Sequence, residues 1–112
     1  MITVETLKEY GADTEDALAR CMNNADFYLR LVGKSLDDDN YERLKTMIAE
    51  KNFEEAFSVA HALKGVVTNL SLTPLAAPII EITEGLRAGK NMDYAPLLQT
   101  MDKELERLRA LA

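Results

Sequence analysis

The stretch FEEAFSVAHALKGVVTNL, residues 53–70, decides the fold. Phe53, Ala56, Ala60, Leu63, Val67 and Leu70 recur at alternating steps of three and four, which places them on one apolar stripe of an α-helix. The stretch therefore predicts a central helix with that stripe turned to the core. At about 100° per residue, His61 falls roughly 130° from the stripe direction, so its imidazole is expected to face solvent. Glu54, Ser58, Gly65 and Thr68 share that side. Lys64 lies between the polar face and the core edge, one turn from His61 and within reach of it along the surface.

The same periodicity extends outward along the chain. Leu75, Ile79, Ile82 and Leu86 form one stripe, and Tyr94, Leu98, Met101, Leu105, Leu108 and Ala112 form another. Thr73 followed by Pro74 reads as N-cap and first helical residue, Gly89 as the stop, and Asp93 as the cap of the last helix. Pro78 is a candidate bend. Upstream, helices are expected from Asn24 to Leu36 and from Asn40 to Lys51, with the carboxylates of Asp37-Asp38-Asp39 suited to the start of the second. Thr3 to Tyr10 and Thr14 to Met22 complete the set with two shorter helices. No segment sustains a period of two. The expected fold is a single all-α domain spanning residues 1–112, an antiparallel four-helix bundle with short additional N-terminal helices covering one end.

With 112 residues the chain has room for one core and one function. Thirteen Lys and Arg against nineteen Asp and Glu give a net charge of −6 with no separate basic cluster, which disfavours nucleic acid and anionic membranes as partners. Cys21 is the only cysteine, so no internal disulfide or multi-thiolate metal site is available. No signal peptide or membrane-spanning run is recognisable, and a soluble, cytoplasmic monomer is expected. Met1 and a self-sufficient core suggest a free-standing protein, although an excised domain would look the same.

A lone surface histidine is ordinarily a solvated side chain, and Lys64 or Gly65 taken singly invites an equally plain reading. Together they point to chemistry. Gly65 lies nearly opposite the core stripe, so internal packing does not explain the roughly 1 kcal/mol of helix propensity lost there. Cleared space beside His61 does. An imidazole is a nucleophile whose neutral form is well populated near neutral pH, and it can carry a phosphoryl group on a ring nitrogen. An ammonium one turn away can stabilise phosphoryl charge, and the missing side chain lets a partner's active site close over the ring for in-line transfer.

His61-Ala62-Leu63-Lys64-Gly65, followed by Asn69-Leu70 and by Leu75 in the next helix, resembles the signature of the histidine-containing phosphotransfer (Hpt) domain family. The resemblance implies a helical bundle that relays phosphoryl groups between aspartates of receiver domains in two-component phosphorelays. By that resemblance His61 is the phosphoacceptor, Lys64 its electrostatic helper and Gly65 the gap admitting the receiver, with Leu63 and Leu70 in the core. The chain is then a phosphocarrier rather than an autonomous catalyst, its partners are response-regulator receiver domains, including those of hybrid histidine kinases, and it needs no cofactor or metal of its own. Magnesium would come from the receiver. Val66 and Val67 stand where the family often has small residues, and Ser71 where it commonly has glycine. Some members place a polar residue of the following helix near the imidazole; the sequence assigns neither Thr83 nor Glu84 to that place.

Three other readings compete. A sensor-kinase dimerisation helix would resemble its family in having an acidic residue after the histidine, where Ala62 stands here, and the chain has no glycine-rich nucleotide-binding segment. An EF-hand loop counted from Asp37 would need Gly and Glu where Glu42 and Ile48 stand. A non-enzymatic helical adaptor, or a degenerate Hpt-like domain that binds a receiver without accepting phosphate, is opposed only by the joint presence of His61, Lys64 and Gly65.

Overall fold

The computed structural model describes residues 1–112 as seven helices with short connections: α1 Val4–Tyr10, α2 Thr14–Arg20, α3 Ala25–Leu36, α4 Asn40–Ala49, α5 Phe53–Asn69, α6 Thr73–Arg87 and α7 Ala95–Arg109. There are no strands. Consecutive helices α4 to α7 pack side by side, and their short connections make each antiparallel to the next, giving the expected four-helix bundle. One continuous cluster of 26 buried apolar residues runs through all seven helices, so the N-terminal helices share the bundle's core. No helix is long and apolar enough to cross a membrane.

The stripes read from the sequence form this core. Ala56, Ala60, Leu63, Val67 and Leu70 are buried, as are Leu75, Ile79, Ile82 and Leu86. Phe53 is the exception on α5, 40% exposed at the first residue of the helix. In α7, Tyr94, Met101, Leu105 and Leu108 are buried, Leu98 is half-buried, and Ala112 is exposed beyond the helix end.

Helix starts follow local hydrogen bonding, with two corrections. Thr3, Asp13, Asn24 and Asn52 each accept a backbone N–H of their helix's first turn. Thr73 does not cap α6. The helix begins one residue earlier, with the buried Leu72 at the N-cap accepting from the Ala76 amide at 2.9 Å, and the Thr73 hydroxyl donates to the Ser71 carbonyl instead. Of the aspartate run, Asp38 receives the Asn40 amide at 2.8 Å, whereas Asp39 makes no side-chain cap. Asp93 accepts the Ala95 amide at 3.0 Å from just outside α7. Gly89 closes α6 in the left-handed region at φ +66°, and Pro78 is buried inside an uninterrupted α6.

Groups of α2 and α3 pin the α5–α6 turn. Asp13 donates its amide to the Ser71 carbonyl at 2.9 Å, Tyr28 donates its hydroxyl to the Leu70 carbonyl at 3.0 Å, and Arg20 reaches the Thr68 carbonyl at 3.1 Å. Ser71 itself sits at φ +54°, a conformation natural to glycine, and its hydroxyl donates to Asp16 Oδ2 at 2.8 Å. The hydroxyl thus ties down a residue whose backbone is strained. The α5–α6 hairpin is held from this end.

Candidate functional site

His61 lies near the middle of α5 and is exposed, as its phase on the helix requires. Its imidazole stacks on the Phe57 ring one turn earlier, with centroids 5.7 Å apart and an interplanar angle of 23°. Arg87, at the last turn of α6, lays its guanidinium over the same Phe57 ring, with Cζ 5.3 Å from the centroid. A shallow groove of about 350 Å³, lined by Phe53, Glu54, Phe57, Ser58, Leu86 and Arg87, opens beside this stack along the α5–α6 seam.

Gly65 is exposed, and a Cβ built on it meets no neighbouring atom within 4 Å. The helix surface one turn beyond the imidazole is therefore open. Thr68 lies on the same side, but its hydroxyl is turned back to the Lys64 carbonyl at 2.6 Å and so serves the helix backbone.

Lys64 reaches across to α6, where its Nζ is 3.5 Å from Glu84 Oε1. Arg87 Nε is 3.6 Å from the other oxygen, Glu84 Oε2. One carboxylate thus serves two cations. Both contacts are long and the side chains substantially exposed, so each pair is worth at most about 1 kcal/mol and opens readily. Thr83, the neighbouring polar residue, is fully buried and donates to the Ile79 carbonyl at 2.7 Å within its own helix. Of these two polar residues of α6, Glu84 is the one beside the exposed face.

The sequence model of the Hpt domain matches residues 4–111, essentially the whole chain. The chain belongs to the Hpt domain family. No curated protein and no solved structure matches it. Membership explains the all-helical bundle and carries a phosphotransfer role in two-component signalling, in which Hpt domains act as phosphocarriers that meet receiver domains.

Within this Hpt bundle, three residues on the exposed face were not assigned from the sequence. Phe57 was legible in principle, because a residue four before His61 must lie beside it on any helix. Glu84 and Arg87 were not, since their approach to Lys64 and Phe57 depends on how α6 is rotated and shifted against α5. No spacing within one segment encodes that.

Proposed function

We propose that this chain is a phosphorelay intermediate in which His61 takes a phosphoryl group from a receiver-domain aspartate and yields it to another. The observation that carries the reading is the pairing of an exposed imidazole at mid-helix with open space at Gly65 on the same face. The lone pair of the unprotonated ring nitrogen attacks phosphorus as the bond from phosphorus to the aspartyl oxygen breaks. The aspartate leaves as a carboxylate and the ring keeps its other N–H, so no additional proton transfer is required.

Lys64 supplies positive charge one turn from the reacting nitrogen, and its loose pair with Glu84 lets the ammonium turn to the phosphoryl oxygens. Gly65 leaves room for the receiver's acyl phosphate to come into line. The stack on Phe57 limits the ring's orientations before the receiver arrives. The mixed apolar and charged groove beside Phe57 offers the receiver a surface next to the histidine.

Incubation with a phosphorylated receiver domain tests the reading. Label should leave the receiver and appear on this chain in a single turnover. Stable binding of the receiver with no label on this chain would instead identify an adaptor.

A further inference from the structure

The two cations of the exposed face share a single counter-ion. Glu84 projects from α6 with one carboxylate oxygen 3.5 Å from Lys64 Nζ and the other 3.6 Å from Arg87 Nε. Arg87 also rests on Phe57, which in turn carries the His61 ring. These are the only Lys and Arg side chains on α5 and α6, and in the unphosphorylated chain both are paired with the same acid.

Resting on the phosphocarrier role of His61, we propose that Glu84 is a positioning residue that holds Lys64 and Arg87 until a phosphoryl group on His61 takes them over, and so sets how that group divides between His61 and a receiver aspartate. Transfer to the neutral ring brings in a phosphoryl group with two negative charges while the ring nitrogens gain one positive charge. Glu84 and the phosphoryl group then compete for the same two cations. Its carboxylate makes phosphohistidine less favourable than the bare cations would, which keeps the group transferable. Glu84 does not meet the reacting atoms; it acts through Lys64 and Arg87.

The test uses the full chain with an isolated receiver domain phosphorylated by acetyl phosphate and freed of excess donor, reading the plateau ratio of label on the two proteins. Glu84→Gln keeps the shape and removes the charge. It should raise the ratio of phosphohistidine to aspartyl phosphate roughly two- to fivefold, the range expected for exposed ion pairs. In a Lys64→Met, Arg87→Met background the same substitution should lose more than half of that effect, because the groups it acts through are gone. A parent chain that accepts label while Glu84→Gln leaves the ratio unchanged overturns this inference alone, and so does a shift that persists undiminished without the cations. A parent chain that accepts no label overturns the phosphocarrier reading and this inference with it.

Discussion

Gly65 and Gly85 lie on the two helices of one hairpin, α5 and α6, yet a methyl group at each would meet different surroundings. At Gly65 it enters open space, so Gly65→Ala should gain helix propensity and raise stability by up to about 1 kcal/mol. Under the proposed relay role the same methyl group would intrude on the receiver's approach, so phosphoryl transfer should slow, and Gly65→Gln should slow it much further. At Gly85 an added Cβ would sit 3.0 Å from Tyr94 Cε1 and Oη. Tyr94 cannot retreat, because its ring is 2% exposed and its hydroxyl is tied to the Lys90 carbonyl at 3.0 Å. Gly85→Ala should therefore destabilise by about 1–3 kcal/mol through overpacking. Denaturation midpoints of both variants, with transfer rates on the same preparations, check the pair. Loss of stability in Gly65→Ala with unimpaired transfer would reverse the assignment of its face.

At the scale of elements, the α5–α6 turn holds Ser71 in a conformation natural to glycine. Ser71→Gly and Ser71→Ala both lose the bond to Asp16, but only glycine relieves the backbone at φ +54°. The glycine variant should be the more stable of the two by about 1 kcal/mol, measured by denaturant titration. Equal stabilities would mean that the left-handed conformation costs nothing here. The turn also marks what the sequence could show. The α5 stripe and the outward phase of His61 are properties of one helix, fixed by its own period, and both were legible. The start of α6 was misplaced by a residue because Leu72 is drawn into the core, which leaves Thr73 inside the first turn. The shared counter-ion at Glu84 depends on the fit between two helices, and side-chain interdigitation decides that only in the folded bundle.

At the scale of the whole molecule, the core encloses phenols whose burial opposes ionisation. Desolvation, reinforced by neighbouring acidic groups, pushes Tyr28 and Tyr41 up from 10.0 to about 12, and it raises Tyr10 as well. The folded chain therefore keeps protons that the unfolded chain releases above the ordinary value. The stability from this source is complete below that value and is lost as pH rises through about 12. Denaturation midpoints should accordingly fall across this alkaline interval, and less steeply in Tyr41→Phe. That substitution should cost little at neutral pH, because the Tyr41 hydroxyl is buried without a hydrogen-bond partner. The bundle presents one exposed imidazole near the middle of α5, and the most direct measurement of its proposed role concerns that ring. After exposure to a phosphorylated receiver, the parent chain should carry label that is labile to acid and stable to alkali, as a phosphoramidate is, while His61→Gln should carry none and keep its helicity. Acid-stable label on the parent chain, or label persisting in His61→Gln, would contradict the account.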